Sequence, residues 1–250
     1  MCSSDLLPLA MRFACEAEGA PAEIKERVKD LQARIDAPNV THTKFDFCDA
    51  TTSGFMMGFC SARAEERHSV ERDDRLAKLA KAWPAQQQTL FAQTVKLQAE
   101  YAEAHARGEI DLSGTARAMF EIDTEASLKD DLLEAVTAFE TGKLPQASAD
   151  EATQADAALN QAYRMSLQTA EAHKAEYGAV QPEGIRKAER AWLKYRDAWL
   201  AFAAIRYPTI TRDGWLELLS ADRTLILAGK SCGTLEDCDG EEQWSPRPLP

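Results

Sequence analysis

Apolar positions recur along this chain at steps of three and four residues, the spacing of one helix face, in blocks divided by Pro, Gly and polar turns. Residues 5–18 predict a first helix ended by Gly19. A second starts at Pro21, carries Ile24, Val28, Leu31 and Ile35, and stops at Pro38 and Asn39. A turn-rich stretch, 41–58, leads to Cys60, and a charged helix is expected over 62–83. Pro84 permits a new start, Leu90, Val95, Leu97 and Tyr101 support a helix to about His105, and Gly108 stops it. The next covers 113–139, with Leu128, Leu132, Leu133, Val136 and Phe139 on its apolar side, and 141–145 breaks it. Ser148 and Glu151 fit a capping box for a helix reaching Tyr177, closed by Gly178 and Pro182. The strongest pattern lies in 183–206, where Ala188, Trp192, Tyr195, Trp199 and Phe202 alternate steps of four and three in one continuous seam. Pro208 ends that helix, and a last one over 213–227 precedes Gly229.

No strand pattern of comparable strength occurs. The expected fold is therefore all-α, an antiparallel helical bundle or two such bundles in tandem. The expected organisation is an N-terminal helical segment (1–40), a first helical domain (41–142), a second carrying the seam helix (146–230), and a polar tail (231–250). Pro246, Pro248 and Pro250 lead to the expectation that this tail is flexible.

The chain has 250 residues, 45% of them hydrophobic and 28% charged, enough to bury a substantial core without metals. Its formal net charge of −12 argues against nucleic acid or an anionic membrane as partner and is compatible with a cationic protein. No stretch approaches the ~20 apolar residues of a membrane span. The first residues lack a basic segment and place Asp5 before a short apolar run, unlike a secretion signal. If the protein is exported, its signal has been removed from this chain.

The six cysteines fall into three local pairs: Cys2 with Cys15, Cys48 with Cys60, and Cys232 with Cys238. Local pairing is the economical arrangement, although six cysteines allow many others and could also stay reduced. An even count without CxxC spacing or neighbouring His favours an oxidising compartment and gives no zinc site. Cys2, Met11, Phe13 and Cys15 repeat as Cys48, Met57, Phe59 and Cys60, the second copy being one residue shorter; Leu31 and Leu76 then follow at equal distance. Gln98–Ala104 and Lys194–Leu200 show a weaker likeness through Tyr101 and Tyr195.

Cys48-Asp49-Ala50-Thr51, followed by Met57, Cys60, Asp74 and Leu76, resembles the opening of the LprI-like lysozyme-inhibitor domain family. Asp156, Leu159, Asn160 and Tyr163 resemble that family's Asp–Leu–Asn–Tyr helix. Ala188 to Ala198, with Trp192, Tyr195, Arg196 and Asp197, looks like its signature helix, and Leu219 to Leu227, with Arg223, resembles its last helix. The family's cysteine near the end of the signature helix is missing; Trp199 and Leu200 occupy that region. A long stretch separates the two halves of the pattern, which suits two degenerate tandem copies better than one interrupted copy. The resemblance implies a periplasmic or cell-envelope protein and, for some members, inhibition of lysozyme.

The residues themselves point away from catalysis. His42, His68, His105 and His173 lie in different segments with no HExxH-like partner, and read as solvated surface residues. Asp73-Asp74 and Asp130-Asp131 read as solvated helix faces. No GxSxG or Gly-rich phosphate loop is present, and no cofactor or metal is implied. Trp192, Tyr195 and Trp199 are expected in the core. Arg196 and Asp197, beside the seam, are expected to form an ion pair fixing neighbouring helices. The function expected is steric neutralisation of a lysozyme-like enzyme, an immunity protein being one form of it, with loops 41–58 and 206–215 as candidate contact segments. The alternative is a non-catalytic structural or scaffolding protein of the bacterial envelope or a secretion system.

Overall fold

The computed structural model describes Cys48, Thr51 and residues 53–229. The pairs Cys2–Cys15 and Cys232–Cys238, the segment 1–40 and the tail 231–250 lie outside the described residues. Among those described the fold is all-helical, with six helices: α1 Gly54–Ala80, α2 Ala85–Gly108, α3 Arg117–Glu140, α4 Ala149–His173, α5 Pro182–Arg206 and α6 Arg212–Leu227.

Helix α1 begins inside the stretch expected to be turn-rich. Ser53 caps it by accepting from the Met56 N–H at 3.3 Å. Gly54 and Gly58, which read as turn residues in sequence, serve close packing instead. A Cβ on Gly54 would lie 2.3 Å from the backbone of Thr115, and one on Gly58 would lie 2.7 Å from the Ala118 Cβ. The Cys48–Cys60 disulfide is formed, with its Cα atoms 5.6 Å apart, and ties the incoming chain to the second turn of α1.

Helix α3 starts at Arg117 rather than residue 113. Ser113 is held in the preceding loop, where its N–H donates to Asp111 Oδ1 at 2.7 Å. The same loop meets Gly178, which has φ 78° and where a Cβ would lie 2.3 Å from Ser113. Helix α4 stops at His173, short of Tyr177, and the chain turns there with the Glu176 N–H donating to the His173 carbonyl at 2.9 Å. The Ser148–Glu151 capping box of α4 is present as expected.

Consecutive helices run antiparallel. Within each half the first and third helices pack side by side and parallel, α1 with α3 and α4 with α6, and α2 and α5 join the halves. These two run antiparallel in tight register: Gln87 Nε2 donates to Ile205 O at 3.3 Å, Phe91 meets Phe202, and Tyr101 stacks on Tyr195 with centroids 6.1 Å apart. At the far end Gly108 faces Gly184, where a Cβ on Gly184 would sit 2.4 Å from the Gly108 carbonyl oxygen. The seam of α5 is core, as its spacing predicts: Ala188, Trp192, Trp199, Phe202 and Ala203 are buried. Phe139, Tyr207 and Trp215 complete an aromatic cluster around Trp199. Side chains of this bulk, interlocked and excluded from water, each contribute about 2–3 kcal/mol of burial.

Candidate functional site: the α5–α6 groove

The residues singled out in sequence divide sharply between core and surface. On α4, Leu159 is buried, while Asp156 and Asn160 are exposed and bonded to each other, Asn160 Nδ2 donating to Asp156 Oδ2 at 3.0 Å. Tyr163 is half-buried, and that burial pushes its hydroxyl pKa up. On α5, Trp192 is buried and Tyr195 packs against the core. The next two residues face outward instead. Arg196 lies over the Trp192 ring at 5.5 Å and donates through Nε and Nη2 to Asp197 Oδ1 at 3.0 and 2.8 Å. The expected ion pair therefore exists between sequence neighbours and does not bridge helices.

Other charges do that bridging. Arg223 of α6, fully buried, donates to Glu109 at 2.7 and 2.6 Å, to Glu189 at 3.1 and 3.0 Å, and to the Tyr101 hydroxyl oxygen at 3.1 Å. His105, expected on the surface, is buried and 2.8 Å from Glu109. Burial pushes the Glu109 carboxyl up, but hydrogen bonds from Arg223 and His105 outweigh it and hold the group below the ordinary carboxylate range. A lone sequence motif could not reveal this network, because its members come from α2, the residue after it, α5 and α6.

Grooves open on the surface among the described residues, and a small one of about 400 Å³ between α2 and α5 is lined by Leu90, Leu97, Lys194 and Asp197. A larger one, about 710 Å³ between α1 and α3, is strongly acidic. Asp130 there binds the buried Arg72 at 3.0 Å and lies 3.5 Å from His68. Asp131 is pushed up to about 8 by burial and by the neighbouring Glu134, Asp222 and Asp130. The Asp130-Asp131 pair is thus not a simple solvated face: one member is bonded and the other is crowded by like charge.

Another groove, about 540 Å³, runs between α5 and α6. Arg196 and Asp197 form part of one wall, Leu200, Ala201 and Ala204 continue it, and Ile210, Arg212 and Trp215 close the other side. The loop between the helices, part of the stretch 206–215 expected as a contact segment, is tied down at both ends. Arg206 donates to Glu140 through Nε at 3.1 Å and through Nη2, and its guanidinium lies over Trp83 at 4.8 Å. The Tyr207 hydroxyl donates to the same carboxylate at 2.8 Å. Thr211 then caps α6 by accepting from the Gly214 N–H. Trp215 is not loop but core, at 2% exposure, and its Nε1 has no hydrogen-bond partner among the described residues.

Helix α5 thus buries its seam mainly against α2 and turns its Arg–Asp doublet outward, while α4 and α6 pack on each other. Residues 134–227 match the family model of the lysozyme inhibitor LprI. The matched LprI region runs from the last turns of α3 to the final residue of α6 and contains the whole α5–α6 groove. It does not include the Cys48–Cys60 unit, whose likeness to the family remains one of sequence pattern. No curated protein and no solved structure matches the chain. Among the described residues no helix is long and apolar enough to cross a membrane, and no group of His, Cys, Asp or Glu is arranged to hold a metal ion.

Proposed function

We propose that this chain is an envelope binding protein that inhibits a lysozyme-like, peptidoglycan-cleaving enzyme by covering its substrate cleft. The match of residues 134–227 to the lysozyme inhibitor LprI carries this reading. Three features support it. The Cys48–Cys60 disulfide suits an oxidising compartment outside the cytoplasm. The net charge of −12 and the acidic α1–α3 groove give a long-range field that attracts a cationic enzyme. The helical scaffold is tightly cross-braced, so it can occlude a cleft without first ordering itself.

The test is titration of the purified, oxidised chain into a panel of muramidases acting on a cell-wall suspension. Near-stoichiometric loss of activity is expected for at least one enzyme, weakening as salt screens the charges. Undiminished activity of every enzyme at large excess of the chain sinks the reading.

A further inference from the structure

We infer that the α5–α6 groove receives an acidic loop of the partner enzyme, with Arg196 and Arg212 as the paired guanidinium donors for its carboxylate. This rests on the inhibitor reading and deepens it by naming the contact face and its chemistry.

The signature helix spends its aromatic residues on the core, yet presents Arg196 and Asp197 to solvent at the groove. Neither serves to join helices. Arg196 uses Nε and Nη2 on one oxygen of Asp197, so Nη1 and the other carboxylate oxygen are without partners among the described residues. Across the groove, Arg212 is exposed and makes no ion pair among the described residues. The groove thus holds two guanidinium groups against one carboxylate, in a chain whose overall balance is −12. Its wall also contains the indole of Trp215, with an unsatisfied buried N–H.

Two cations lining an open trough whose other walls are largely apolar fit a carboxylate carried on a short apolar stem. Asp or Glu on a protein loop supplies both parts, and guanidinium binds carboxylate in a planar, two-bonded geometry. Arg212 is presented at the end of a loop fixed by the Arg206–Glu140 pair, the Tyr207 hydroxyl and the Thr211 cap, so little ordering is lost on docking.

The experiment compares the full wild-type chain with Arg212→Glu, which reverses the exposed charge, and Ala204→Trp, which fills the groove from an exposed alanine. Arg75→Glu makes the same charge change on α1, which packs on neither α5 nor α6. Against an inhibited muramidase, Arg212→Glu and Ala204→Trp are expected to raise the half-inhibitory concentration by at least about tenfold, with Arg75→Glu near wild type. Unchanged inhibition by Arg212→Glu overturns the inference and leaves the inhibitor reading standing, and this variant decides alone should Ala204→Trp misfold. A parallel arm follows the Trp215 indole N–H resonance during titration with a glutamate-rich peptide. A saturable shift, lost in Arg212→Glu, is expected. If the wild-type chain inhibits no muramidase, the inhibitor reading falls and this arm judges the groove: the shift upholds it as an acid-binding site, and no shift overturns it.

Discussion

Replacing Arg223 with methionine keeps most of the side chain's bulk but removes the guanidinium that faces Glu109 and Glu189. Arg223 is 0% exposed, Glu109 is 5% exposed and Glu189 is 14% exposed, so water cannot take over the lost contacts. Breaking a buried pair from one side costs about 3–5 kcal/mol, because the surviving charges stay buried and uncompensated. For a chain of this size that corresponds to a fall in melting temperature of roughly 6–20 °C. The loss also has a pH signature. In the wild type Glu109 titrates below its ordinary range, so its stabilisation is complete above the unfolded carboxylate value and disappears as pH falls through the folded one. In Arg223→Met only His105 is left to oppose the burial that disfavours ionisation of Glu109. The group then titrates above the ordinary range, and lowering the pH relieves the variant while it weakens the wild type. Urea unfolding followed by far-UV circular dichroism should show the deficit near its full size at about pH 7 and distinctly smaller at about pH 4.5. A deficit below about 1 kcal/mol at neutral pH, or one that does not change with pH, would refute the view that this network binds α2 to α5 and α6.

Asp131→Asn should stabilise the protein by at least about 1–2 kcal/mol at neutral and alkaline pH, because a carboxyl pushed up to about 8 in the fold is denied the ionisation it has in the unfolded chain; thermal melts should show the gain growing as pH rises from about 4 to about 8, level above that, and vanishing in stronger acid. Gly184→Ala should lower stability by about 1–3 kcal/mol, since the clash with the Gly108 carbonyl exceeds the gain of about 1 kcal/mol in helix propensity; an unchanged or raised melting temperature would contradict the close approach of α2 and α5. Cys48 and Cys60 should resist alkylation until reductant is added, and Cys60→Ser should cost about 2–3 kcal/mol through the loop that the bond closes. Mass spectrometry of the alkylated, digested protein checks the first statement and denaturant melts the second.

The parts of this fold that were legible in the sequence are those written in local periodicity. The α5 seam repeats every three or four residues, so Trp192, Trp199 and Phe202 could be assigned to the core before any contact was known. Ser148 and Glu151 announced the start of α4 because both halves of a capping box lie within one turn. The start of α1 was hidden because glycine serves two ends. Gly54 and Gly58 read as turn residues, whereas they let α3 approach. The charge network was hidden for a different reason. Arg223 and Glu109 are far apart in the chain, and nothing local distinguishes either from a solvated surface charge. The one nearby clue was His105 placed four residues before Glu109, across the end of α2, a spacing that brings the two side chains together. Arg196 and Asp197 were correctly singled out as a pair, but sequence could not say that they bond to each other and leave the helix interfaces to other residues.

That division of labour bears on how a match of residues 134–227 is to be understood. Arg223 and Glu189 belong to the matched LprI region, while Glu109, Tyr101 and His105 lie outside it, in α2 and its cap. The matched region therefore does not satisfy its own buried cation fully; α2 supplies the phenol and the residue after it the second carboxylate. The aromatic core crosses the same boundary, since Trp83 and Phe91 pack on Phe202 of α5. Residues before the match thus brace α5 along the face that carries Trp199 and Phe202, next to the wall of the groove between α5 and α6. A surface that must hold its shape while a partner presses against it needs such backing, because any yielding of α5 would be subtracted from binding. Under the proposed function the first three helices have two separable contributions: α2 stiffens the matched region from outside it, and the α1–α3 face supplies an acidic field for a cationic partner. The first acts through stability and the second through the rate and salt dependence of association, so measurements of unfolding and of binding kinetics address different helices.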